Sequence, residues 1–108
     1  MDPGVMQMRF ILLSTLTPEG RKTAHLHPER LTAVNEEVAA FGCKVVEQYA
    51  VLGGYDFVTI LEAPDIQTVA HLSVDLGSRG TVTITSLPAI PIDEFARQLQ
   101  SKEQLGHR

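Results

Sequence analysis

Two adjacent glycines, Gly53 and Gly54, stand between two apolar runs, 43–52 and 57–61, and no other feature constrains this chain as tightly. Glycine tolerates positive φ, which a tight connection between antiparallel strands often needs. Val, Ile and aromatic residues on both flanks suit a pleated, half-buried surface. Gly53-Gly54-Tyr55-Asp56 therefore predicts a β-hairpin, and the remaining elements arrange around it.

Residues 8–16 are nearly continuous in apolar side chains (Phe10, Ile11, Leu12, Leu13), the pattern of a strand covered on both faces. Thr17-Pro18-Glu19-Gly20 ends it with turn chemistry, and 21–27 reads as a loop or a short helical turn. Pro28 and Glu29 suit a helix start, Leu31, Val34, Val38 and Phe41 recur at helical spacing, and Gly42 stops the helix. After the hairpin, Asp65 caps a second helix with Ile66, Val69, Ala70, Ser73 and Leu76 along one side, and Gly77 closes it. Residues 81–87 alternate threonine with Val82 and Ile84, a strand with one apolar and one hydroxyl face. Pro88 and Pro91 break it, and Ile92, Phe95, Ala96 and Leu99 give a terminal helix that docks through Phe95. The expected organisation is a short lead at 1–7, one domain at 8–100 and a loose tail at 101–108.

Strand, helix, strand, strand, helix, strand is the order of a ferredoxin-like βαββαβ plait, an α+β fold. Its antiparallel four-stranded sheet carries helices on one face. Yet the first strand is apolar at successive positions, and the hairpin strand sets Tyr55, Phe57 and Leu61 on one face and Val58 and Ile60 on the other. Burying both sets needs a second sheet, and the chain has no strands to spare. A second copy under two-fold symmetry supplies one, so a homodimer, or a higher oligomer built from it, is expected.

A formal net charge of −4 and scattered Lys and Arg argue against a sequence-independent grip on nucleic acid. The apolar runs fall far short of the roughly 20 residues that cross a bilayer, and the first residues lack the pattern of a signal peptide. Cys43 is the only cysteine, so no internal disulfide forms, and such sparing use fits the cytoplasm.

The candidate chemistry is sparse. Tyr55 and Asp56 are an acid, base or ligand donors in one reading; in the other, Asp56 ties down backbone amides and Tyr55 packs. His25 and His27 lie beside Arg21 and Arg30, a group that suits anion capture near a helix start or forms a solvated loop. Two histidines without a third ligand make no metal site, and no metal or cofactor is expected. Arg79, between Gly77 and Gly80, reaches a ligand or simply faces solvent. Cys43 follows a helix C-terminus, whose negative end opposes thiolate formation, and packs as a small apolar residue.

The chain resembles the GYD-domain family, whose signature is carried here by Gly54, Tyr55 and Asp56. The likeness extends over the strand from Met8, Pro28-Glu29-Arg30-Leu31, Glu62-Ala63-Pro64-Asp65, Leu76-Gly77-Ser78 and the Phe95 helix, and departs at 17–27. It implies a dimeric α+β barrel and no particular activity. The favoured expectation is a homodimeric module that binds a small metabolite or assembles with itself or a partner protein. The alternative is a cofactor-free enzyme of monooxygenase, isomerase or decarboxylase type, with its pocket between sheet and helices.

Overall fold

A computed structural model describes residues 7–100; the expected lead, apart from Gln7, and the expected tail lie outside them. The chain runs β1 (Met8–Leu16), α1 (Pro18–Leu26), α2 (Arg30–Ala40), β2 (Lys44–Ala50), β3 (Phe57–Ala63), α3 (Ile66–Gly77), β4 (Val82–Ala89) and α4 (Ile92–Leu99). The strands form one antiparallel sheet in the order β2-β3-β1-β4, the plait expected from the sequence.

Residues of β1 alternate strictly. Phe10, Leu12 and Ser14 are buried, while Ile11, Leu13 and Thr15 between them are only half-buried. On β3 the buried set is Thr59, Leu61 and Ala63. These residues meet Val38 of α2 and Val69 and Leu72 of α3 in the core, with Phe41, Val45, Leu76 and Ile84 packed around it. The inward stripe of α3 thus runs through Val69, Leu72 and Leu76. Ile66 and Ala70, expected on that stripe, are exposed, because at helical spacing they fall to one side of the line through Val69, Leu72 and Leu76. Asp65 caps α3 as expected, its Oδ1 accepting from the Thr68 amide at 2.7 Å. The same bond and the Thr68 hydroxyl hold the Asp65 carboxyl below its usual range, the hydroxyl acting most strongly.

Thr17-Pro18-Glu19-Gly20 opens a helix and does not form the expected turn. The Thr17 hydroxyl accepts from the Gly20 amide at 3.1 Å, Pro18 takes the first turn and Glu19 faces the positive end of the dipole. The segment read as an ambiguous loop is therefore the nine-residue α1. Thr17 also anchors this corner across the sheet: its hydroxyl donates to the Gly80 carbonyl at 2.7 Å and its amide to Thr81 O at 3.1 Å.

The hairpin turns through residues 51–56, with Ala50 opposite Phe57 and Gly53 at φ +112°. A bulge between Val45 and Glu47 shifts the register of β2, so Gln48 and Ala50 join Val45 on the helix side. Cys43 is buried just before β2; burial, with a smaller contribution from the Asp65 charge, pushes its thiol up in pKa. It is a packing residue.

The terminal helix corrects one expectation. Phe95 is 42% exposed and none of the residues of α4 is buried. Pro88 does not break the strand as expected: β4 is an edge strand, which tolerates proline, and it runs through Pro88, opposite Phe10, to Ala89. Ile90 is exposed before Pro91, and α4 begins beyond the sheet and does not fold back by Phe95. The outer face of the sheet is built by register. Leu87, Ile11, Ile60 and Glu47 form one row, and Thr85, Leu13, Val58 and Tyr49 the next. An Arg9–Glu62 ion pair at 2.7 Å closes one end.

Candidate functional site

A cavity of about 780 Å³ lies between the helix side of the sheet and the helices. Its floor is Leu12, Ser14, Thr59 and Leu61; α1 borders it with Gly20, Thr23 and Ala24, and α2 with residues 30–35, Glu37 and Val38. Leu16, Val82 and Phe57 place it at the end of the sheet where α1 begins. This size is within the ordinary range of small-molecule sites, roughly 300–1,000 Å³.

Gly20 explains how α1 comes so close. It is buried, and a methyl group in place of its hydrogen would overlap the carbonyl oxygen of Thr81 and stand 2.9 Å from the carbonyl carbon. Only glycine lets the first turn of α1 rest on the backbone that leads into β4.

Across the mouth, Arg79 from the α3–β4 turn ion-pairs with Glu37 of α2 and lies 3.4 Å from Asp75. The hydrogen bond from Arg79 holds the Glu37 carboxyl below its usual range. Because the folded-state value is the lower one, the latch contributes above the ordinary carboxyl range and is lost as pH falls through the depressed value. It is exposed, so salt screens it. The Glu37 carboxyl carbon, followed by NMR in dilute buffer, is expected to titrate below an ordinary glutamate. Arg79→Gln, or added salt, should bring it back; an unmoved midpoint in Arg79→Gln would refute the latch.

Only two of the sequence-derived candidates, Arg30 and Arg79, line the cavity. Arg21 and His25 are exposed on α1, and His27 caps its C-terminus, 3.4 Å from the Glu29 carboxylate. Among the described residues no cluster of three or more His, Cys, Asp or Glu is placed to hold a metal. Tyr55 and Asp56 precede β3 in the hairpin loop, and Tyr55 is 40% exposed. Asp56 Oδ2 accepts from the Leu16 amide at 2.7 Å, and the Asp56 amide donates to Ser14 O at 2.8 Å. The signature aspartate therefore pins the hairpin to the end of β1, just before the chain enters α1.

Ser14, Thr59, Asn35 and Gln48 were not among the candidates. Their signal was present: Ser14 and Thr59 interrupt apolar strands at inward positions, where Leu, Val or Ile would bury more area. Of the hydroxyls in 81–86, Thr81 alone borders the cavity; Thr83 and Thr85 are exposed and Ser86 bonds Ser73 at 2.7 Å.

A four-stranded antiparallel plait with a roomy cavity under its helices and an apolar outer sheet face defines the class: a small α+β protein of the ferredoxin-like kind. The chain belongs to the GYD-domain family, whose profile matches residues 10–99. It is 49% identical over 92 residues to a protein of Thermus thermophilus named glutamine synthetase and cystathionine beta-lyase binding protein, covering 84% of this chain and 97% of that one. No solved structure gives a significant match. Among the described residues no helix is long and apolar enough to cross a membrane.

Proposed function

We propose that this chain is a cytoplasmic, homodimeric protein-binding module whose partners are glutamine synthetase and cystathionine beta-lyase. The observation that carries this reading is the 49% identity across nearly the whole of a relative named for binding those two enzymes. Identity at that level, spread over one small domain, leaves much of the surface in common. The dimer is supported by the outer face of the sheet, where Ile11, Leu13, Val58, Ile60 and Leu87 adjoin in register and no core helix packs. Pairing two such faces buries them in the manner of a sheet sandwich. The exposed Ile92 and Phe95 of α4 offer a further apolar contact for a partner enzyme. The enzyme alternative draws less support, since Tyr55, Asp56, His25 and His27 do not border the cavity.

Immobilised full-length chain is expected to capture purified glutamine synthetase and cystathionine beta-lyase of the same organism saturably, at micromolar concentration or below, in a surface-binding assay. Phe95→Ser should weaken that capture while leaving the protein's mass by light scattering unchanged. A folded, dimeric chain that captures neither enzyme would end the proposal.

A further inference from the structure

Two hydroxyls stand on the cavity floor with no protein group to bond. Ser14 and Thr59 are each 8% exposed, both border the cavity, and neither side chain has a hydrogen-bond partner among the described residues. Beside them Asn35 Oδ1 is fully buried without a partner, while its amide nitrogen donates to Gln48 Oε1 at 3.2 Å. Register brings these groups together. Gln48 and Leu12 flank Thr59 across the sheet, and Ser14 lies one diagonal step away, opposite Phe57. Each buried polar group left unbonded costs about 1–3 kcal/mol, and native proteins keep few of them. One such atom beside two hydroxyls that open on the cavity and bond nothing in the protein points to a bonding partner that comes from outside the chain.

The rest of the lining gives the chemistry of that partner. The walls are hydrocarbon, with Leu12, Leu31, Val34, Val45 and Ile84 among them. Arg30, the first residue of α2, borders the cavity and has no acidic partner among the described residues, whereas Arg79 is held by Glu37 and Asp75. A carboxylate at Arg30 would also meet the positive end of an eleven-residue helix. Asn35 Oδ1 calls for a donor, and the hydroxyls of Ser14 and Thr59 donate or accept. An ammonium group would find no free carboxylate, because Glu37, the acid in the lining, is paired with Arg79.

We propose that this cavity is a binding site for an apolar monocarboxylic acid that carries a hydroxyl. The hydrocarbon packs between the sheet and α2, the hydroxyl bonds Asn35 and a floor hydroxyl, and the carboxylate meets Arg30. The site does not depend on the protein-binding reading: a chain that captures no enzyme would still take the acid.

The test uses the full chain and four probes of similar length: α-hydroxyoctanoate, octanoate, octanol and α-aminooctanoate, followed by amide NMR shifts and calorimetry. Saturable binding of α-hydroxyoctanoate, with shifts centred on Ser14, Thr59 and Asn35, is expected. The other three probes should bind about tenfold more weakly, the amino acid included. Ser14→Ala and Thr59→Val should each weaken α-hydroxyoctanoate about tenfold without lowering the Tm of the free protein, since each removes an unbonded group. Arg30→Gln should erase the advantage of α-hydroxyoctanoate over octanol. No saturable shift, shifts centred on the outer sheet face, or a clear fall in Tm for both floor variants would overturn the proposal. The wild-type shift map decides even where a variant folds poorly.

Discussion

Gly20→Ala is expected to destabilise the protein by about 3 kcal/mol, a fall in Tm of roughly 15 °C for a domain of this size. The sign is the informative part. Inside a helix, alanine is ordinarily the better residue by about 1 kcal/mol. Here the added methyl meets the Thr81 carbonyl group, and backbone has nowhere to go; the neighbouring Leu16 side chain, 3.2 Å away, would yield more easily. Relief requires α1 to lift from the strand end. The same corner is held by the two bonds from Thr17 to Gly80 and Thr81, so lifting α1 stretches those as well. Chemical denaturation of the purified variant measures the effect. A neutral or stabilised Gly20→Ala would mean that α1 does not rest on Thr81, and the wall it gives the cavity would have to be redrawn.

How far the sequence disclosed this structure can be followed through single residues. Gly53 sits at φ +112°, and the antiparallel pairing on either side of it is what two apolar runs around a flexible turn imply. Asp65 caps α3 as its position before an apolar stripe predicted. Thr17 was legible in principle, since a threonine before Pro-Glu is as much a helix cap as a strand stop. What hid it was the polar run that follows, which lacks a strong apolar stripe because α1 lies over a cavity and not on the packed core. Phe95 failed for the opposite reason. Its helix has a clear apolar stripe, but periodicity says only that a face will be covered, not which surface covers it. One of the two readings of Asp56 had it tie down backbone amides, as it does, yet the amide it holds is 40 residues away in β1, a pairing only the fold creates. The cavity floor was the least visible part. Ser14 and Thr59 become neighbours only through the β1–β3 register, and each alone passes for an ordinary strand hydroxyl.

Ile60→Glu is expected to convert the proposed dimer to monomers, or to leave folded protein only at concentrations well above micromolar. Ile60 is at the centre of the outer face, opposite Ile11 on one side and Glu47 on the other. In a two-fold pairing of sheets each substitution counts twice, so two carboxylates would enter one apolar interface. An unpaired buried charge costs several kcal/mol, while the lost isoleucine removes a further ~2 kcal/mol of apolar burial from each copy. Together these exceed the roughly 8 kcal/mol that holds a micromolar dimer. The core should survive, because Phe10, Leu61, Val69 and Leu72 pack on the opposite side of the sheet. Sedimentation velocity across a dilution series gives the result, with Gln67→Glu, at an exposed position of α3, as the charge-matched control. An Ile60→Glu protein that sediments as a dimer at the wild-type dissociation constant would show that the chain associates elsewhere. The apolar rows on the outer face would then need another partner to cover them.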